Sequence, residues 1–187
     1  LSYKLLNFAA NQAGWFACVL SAAWGYPWVG VGYVAAWTSI HVWRCGHRLL
    51  EALLLLSAGA LGYAVDSVIV LAGTMQFPAP ATPGWPAPLW MVALWVNLAA
   101  TLNVSLAWFR GRYVLGMLLG MVGAPLAYWA GHRLGAVALA EPVWQSVGLV
   151  SVMWAMAMPL LLVLANVLTA APVAADRRSA FRMEAKS

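Results

Sequence analysis

The chain has 187 residues, 64% of them hydrophobic and only 8% charged, with a formal net charge of +5. A soluble domain carries about 25% charged residues to cover its surface, so the composition excludes an ordinary soluble fold. The basic residues sit in short gaps between apolar runs. That placement excludes a nucleic-acid-binding face and matches the cytoplasmic loops of a membrane protein.

The apolar runs predict six helices. Leu5 to Gly25 forms the first, and Gly25-Tyr26-Pro27 turns the chain into a second, Trp28 to Cys45. Arg44, His47, Arg48 and Glu51 make a charged connection to a third helix, Ala52 to Phe77. Pro78 to Pro88 holds five prolines and no charge, and reads as an irregular loop. A fourth helix spans Leu89 to Phe109, and a fifth follows the basic turn Arg110-Gly111-Arg112, from Tyr113 to Leu139. Glu141-Pro142 breaks the chain before a sixth, Val143 to Leu168. The predicted fold is therefore an all-α polytopic membrane protein. Residues 1–168 form a six-helix transmembrane domain and residues 169–187 a basic cytoplasmic tail. The first run has no small-residue cleavage site and reads as a retained helix.

Nine of the ten Lys and Arg residues fall on one side of this arrangement, and only Arg133 falls toward the other. Both termini are then cytoplasmic. Trp28, Trp85, Trp90 and Trp144 mark the opposite interface. The fifth helix carries Gly116, Gly120, Gly123, Ala127, Gly131 and Gly135 at steps of three or four, a smooth stripe for close helix approach. Pro125 and Pro159 predict kinks. Asn7-Phe-Ala-Ala and Asn97-Leu-Ala-Ala lie 90 residues apart, the spacing of an inverted repeat of three helices.

Asp66 lies about 14 residues into the third run, near the expected bilayer midplane. A bare carboxylate there costs roughly 2.5–3.5 kcal/mol or more, so Asp66 needs a proton, a partner or a polar cavity. Other polar groups share the membrane: Asn7, Asn11 and Gln12 with Trp15 on the first helix, His41 on the second, Asn97 and Asn103 on the fourth, and Tyr128 on the fifth. If they converge, Asp66, Asn97, Gln12, Asn7, Asn103, His41, Trp15 and Tyr128 line a pocket open to the cytoplasm or the inner leaflet. Singly, each amide also reads as a helix-to-helix hydrogen bond. Arg44, Arg48, Arg110 and Arg112 are candidates for contact with headgroups or a protein partner at the cytoplasmic face, and His132 with Arg133 for headgroups on the other.

No nucleophile elbow, phosphate loop or paired carboxylate motif is present, and enzymatic activity is not expected. Cys18 and Cys45 fall at different depths, which disfavours a disulfide. His41, His47 and His132 are not spaced for a metal site, and neither a metal nor another cofactor is expected.

Several stretches together resemble the uncharacterised bacterial inner-membrane family catalogued as domain of unknown function 2878. They are N-F-x-x-x-Q-x-x-W-F from Asn7 to Phe16, Asp66-Ser67, P-L-W-M-x-x-L-W from Pro88 to Trp95, T-L-N-x-S-L-x-W from Thr101 to Trp108, and G-x-x-G-A-P-x-x-Y-W-x-G from Gly120 to Gly131. Position 11 departs from the family pattern, with Asn where an aromatic is usual. That change alters either the pocket or a helix contact. The resemblance implies a bacterial inner-membrane protein that binds, presents or protects membrane lipid in lipid modification, with membrane lipid as its partner. Two alternatives from other classes stand beside it: a small transporter with Asp66 as its ion site, and a structural subunit whose glycine stripe another chain covers.

Overall fold

A computed structural model describes residues 2–77 and 84–184, with side chains as far as residue 168. Among these the chain is all-α, apart from one two-residue strand pair. The helices are α1 (Tyr3–Ala23), α2 (Trp28–Arg44), α3 (Arg48–Leu71), α4 (Leu89–Leu102), α5 (Tyr113–Arg133) and α6 (Val143–Glu184). Strands β1 (Met75–Gln76) and β2 (Ala138–Leu139) pair antiparallel and tie the ends of α3 and α5 together. Three segments are long and apolar enough to cross a membrane: α3, α5 and residues Val143–Leu168 of α6. Their outward faces are apolar, with Leu56, Val122 and Val152 among the exposed side chains.

Five of the predicted boundaries move by about four residues or more, four of them for a local reason. The third helix starts at Arg48, so Glu51 lies inside its first turn, where His41 and Asn103 bond its carboxylate. It ends at Leu71, because Gly73 takes a positive φ of 73° and opens the turn into β1. Asp66 consequently lies five residues from the C-terminal end of α3. The fourth helix stops at Leu102 instead of Phe109. Ser105 there donates its N–H and hydroxyl to Asn7 Oδ1 (3.4 and 2.7 Å), and Asn103 turns to Glu51, so side-chain bonds replace the helical ladder. The chain then makes a short 3-10 turn at Ala107–Phe109. The fifth helix ends at Arg133, where Gly135 (φ 84°) turns the chain toward β2. The sixth helix runs on past Leu168 to Glu184, through most of the expected tail, and residues 185–187 lie outside the described part. Of the expected proline loop, residues 78–83 also lie outside it. The described end folds back on α3, where Tyr63 Oη donates to the Trp85 carbonyl (2.7 Å).

The helices pack as two hairpins, α1–α2 and α5–α6, around the α3–α4 pair. The short α4 is central and touches α1, α2 and α3 closely. The last three helices do not repeat the packing of the first three, since α4 does not pack closely on α5 as α1 does on α2. The inverted repeat is therefore not seen.

Glycines set the closest approaches. A Cβ at Gly30 would lie 2.4 Å from Cys18 Cα, and one at Gly120 would lie 2.4 Å from the Trp154 carbonyl oxygen. The α5 stripe is thus covered over part of its length by α6 of the same chain. Its next member, Gly123, meets nothing nearer than 3.8 Å. Gly120→Ala should therefore lower stability in detergent by about 1–3 kcal/mol through overpacking, while Gly123→Ala should leave it unchanged or slightly raised. Thermal unfolding followed by size-exclusion chromatography checks this, and equal loss in both variants would contradict the packing described.

Candidate functional site

Four helices line a cavity of about 550 Å³. The α1 wall runs from Phe8 to Val19, the α4 wall from Trp90 to Thr101, and the α5 wall from Leu119 to Gly131. Trp154 and Met158 of α6 close the back. Phe8, Gln12 and Phe16 on α1 and Leu119 on α5 are exposed, so the opening is lateral, between α1 and α5. The volume lies in the usual range of about 300–1,000 Å³ for small-ligand pockets. The lining is mostly aliphatic and aromatic, with Asn11, Gln12, Asn97, Thr101 and Tyr128 as its polar members. No charged, His, Cys or Ser side chain is among its described lining residues.

Asp66 is fully buried just behind this wall and does not line it. Two neutral donors satisfy the carboxylate: Trp95 Nε1–H donates to Oδ2 (2.9 Å), and Tyr128 Oη–H donates to Oδ1. Trp154 Nε1–H then donates to Tyr128 Oη (3.4 Å), and its indole stacks on that of Trp95 at 4.1 Å. One carboxylate thus binds α3 to α4 and α5, and through Tyr128 to α6. Among the described residues no cation pairs with it. Gly62, one turn before Asp66, makes the arrangement possible, because a Cβ there would lie 2.1 Å from the Trp95 ring.

A second polar seam joins α1 to α4. Asn11 Nδ2 donates to the Asn97 carbonyl (3.1 Å), and Asn97 Nδ2 donates to the Asn11 carbonyl (2.8 Å). The departure at position 11 therefore adds a helix contact and also puts an amide on the cavity wall. Asn97 Oδ1 is buried with no hydrogen-bond partner. Gly14 gives that amide its space, since a Cβ there would lie 2.6 Å from Asn97 Nδ2.

Of the eight pocket residues expected from sequence, Gln12, Trp15, Asn97 and Tyr128 line this cavity. Asp66, Asn7, Asn103 and His41 do not. Asn7 is fully buried between α1 and the end of α4, bonding the Ala100 carbonyl (2.9 Å) and Ser105. His41 and Asn103 meet at Glu51, at the end of the bundle that carries Lys4 and the arginines. There His41 Nε2 lies 2.9 Å from Glu51 Oε1, and Asn103 Nδ2 donates to Oε2 (2.9 Å). Arg44 stacks over the Tyr3 ring, Arg48 donates to the Trp43 carbonyl, Arg110 to Asn103 Oδ1, and Arg112 lies over Trp108. All four remain exposed. At the opposite end His132 and Arg133 separate. Leu139 N–H donates to His132 Nδ1 (3.3 Å), which ties the ring to β2, while Arg133 lies over the Trp129 ring. Sequence reasoning passed over Trp95 and Trp154, the partners of the buried acid network. The only local signals were Gly62 one turn before Asp66 and the place of Trp95 in the P-L-W-M-x-x-L-W stretch.

Removing the carboxylate strands two buried donors. Asp66→Ala should cost on the order of 2–4 kcal/mol and Tyr128→Phe about 1–2 kcal/mol. Detergent-resistance midpoints of the two variants check the order, and a Tyr128→Phe loss as large as that of Asp66→Ala would contradict it.

A family model described as "Protein of unknown function (DUF2878)" matches residues 4–160, and the chain belongs to that family. No curated protein and no solved structure matches it.

Proposed function

Taking that membership as its premise, we propose that the protein holds the apolar chain of a membrane lipid in the lateral cavity between α1 and α5. It does so as an accessory of lipid modification in the cytoplasmic membrane of a bacterium. The observation that carries the reading is the cavity itself: an uncharged, largely apolar chamber opening sideways between two helices. In a bilayer such an opening meets acyl chains and not water. Asn11, Gln12 and Asn97 offer amides to the polar end of the guest, and the unpartnered Asn97 Oδ1 is ready to accept a hydrogen bond.

In this reading all six helices cross the bilayer. The 14 residues of α4 cover only about 21 Å as a helix, and the turns after Leu102 complete the crossing against buried neighbours. The end carrying Lys4, Arg44, Arg48, Arg110 and Arg112 faces the cytoplasm, where anionic headgroups or a soluble enzyme meet it. Exposed Trp24, Trp28, Trp85 and Trp144 occupy the opposite interface, whereas Trp90, expected there from sequence, is buried against the cavity. An ion-transport role for Asp66 loses support, because the carboxylate is satisfied and walled off from the cavity. A structural-subunit role loses support too, because α6 itself covers the glycine stripe at Gly116 and Gly120.

Native mass spectrometry of protein extracted gently from its own membranes tests the proposal. Wild-type protein should retain about one lipid per chain, held in this cavity. Gly123→Phe, which projects into the cavity, should lose most of it, while Gly32→Phe on an open outer face should keep it. Equal retention in both variants, or none in the wild type, would overturn the reading.

A further inference from the structure

The end of the bundle away from the Asp66 network holds a second cluster that the lipid cavity does not use. His41 lies in the last turn of α2, Cys45 is the residue that caps it, and Glu51 comes from the first turn of α3. Their ligating atoms all lie within 4.8 Å of one another. We propose that His41 Nε2, Cys45 Sγ and a Glu51 carboxylate oxygen bind a divalent transition metal of the zinc class.

The argument starts from His41 Nε2. That nitrogen carries at most one proton, yet both the Glu51 carboxylate (Oε1 at 2.9 Å) and the Cys45 sulfur (Sγ at 3.8 Å) approach it. One N–H serves one of them, whereas a metal ion serves both. Zinc bonds of about 2.0–2.2 Å to nitrogen or oxygen and 2.3 Å to sulfur set tetrahedral neighbours about 3.4 Å (N to O) and 3.6 Å (N to S) apart. The two separations from Nε2 need shifts of about 0.5 and 0.2 Å, with Glu51 moving outward and Cys45 inward, and the sulfur-to-oxygen separation, which lies within 4.8 Å, closes toward about 3.6 Å as the ion draws the two in.

The surroundings are those of a ligand set already oriented. The second ring nitrogen, His41 Nδ1, lies 3.1 Å from Tyr3 Oη, which fixes the ring and leaves Nε2 for the metal. Asn103 Nδ2 holds the other Glu51 oxygen, and Arg110 holds Asn103 from behind. His41 is fully buried and Glu51 nearly so, while Cys45 is half-exposed and gives the ion its entry. One nitrogen, one sulfur and one oxygen suit zinc or cobalt(II) better than magnesium or calcium, which take oxygen alone. On binding, the Cys45 thiol releases its proton to solvent and the thiolate takes its place on the ion, while the neutral His41 ring carries its one proton on Nδ1, donated to Tyr3 Oη, so that Nε2 is free to ligate. The remaining tetrahedral position falls to water.

Sequence spacing gave no sign of this, and no metal was expected. His41 and Cys45 stand four apart at the frayed end of a helix, and the third ligand arrives only when the connection brings α3 back against α2. The proposal is independent of the lipid reading, because none of its residues lines the cavity.

Cobalt(II) titration of the full chain in mild detergent under reducing conditions tests it, together with elemental analysis of the protein as isolated. Wild-type protein should bind one equivalent at this cluster, the one of its kind among the described residues, with a thiolate-to-cobalt charge-transfer band and tetrahedral d–d bands, and zinc should displace the cobalt and abolish both. Cys45→Ser should lose the charge-transfer band while eluting as wild type. Tyr3→Phe, which leaves all three ligands in place, should weaken binding on the order of ten- to hundredfold. His47→Ala, an exposed histidine nearby, should change nothing. Absence of the charge-transfer band in the wild type, or its persistence in Cys45→Ser, would overturn the proposal.

Discussion

The structure depends on how one buried carboxylate is satisfied. Asp66 has no counter-charge among the described residues, so its two oxygens rely on neutral donors from two other helices. Trp95 brings α4, Tyr128 brings α5, and Trp154 adds α6 through Tyr128. Each donor is a large ring, so the bonds that neutralise the polar cost of Asp66 also supply apolar area. Satisfying the acid and building the inner wall of the cavity are thus one act. Trp95, Tyr128 and Trp154 all line the chamber, and Asp66 lies buried behind them.

Small residues decide where the space is. Gly62 lets the Trp95 ring lie flat against α3, and Gly120 lets α6 close on α5. Gly123 and Gly131 have no close neighbour and leave their share of α5 open to the chamber. The asparagine exchange between Asn11 and Asn97 holds α1 to α4 on the other side. With α5 held on α6 and α1 held on α4, the gap between α1 and α5 persists. The cluster at His41 belongs to the opposite end, so the molecule carries an apolar chamber and a polar ligand set on separate parts of one bundle.

Much of this was legible in the sequence, and the limits have physical causes. Helix number and order followed from apolar runs and turn residues. That Asp66 needs a proton, a partner or a polar cavity followed from the cost of burying it. Which partner did not follow, since Trp95 and Tyr128 lie 29 and 62 residues away and a desolvation cost names no neighbour. The glycine stripe signalled close approach but not that α6 supplies the approaching backbone. The early end of α4 was hidden because Asn103 and Ser105 leave the helix for bonds to Glu51 and Asn7, distant in the chain. The β1–β2 pair was unreadable, being two residues on each side. Four of the polar residues expected in one pocket lie elsewhere, because membrane cost selects every polar group without saying which ones meet.

The central claim is that a lipid chain enters between α1 and α5 and lies against the wall that Asp66 supports. Photo-crosslinking tests it most directly, with a diazirine-bearing fatty acid fed into native membranes and the labelled residues mapped by mass spectrometry. The account requires labels on Leu94, Ala127 or Trp154, which face the chamber, in addition to Leu56 and Val122 on the outer surface. Labels confined to the outer surface would mean that the chamber is closed to lipid, and would contradict it.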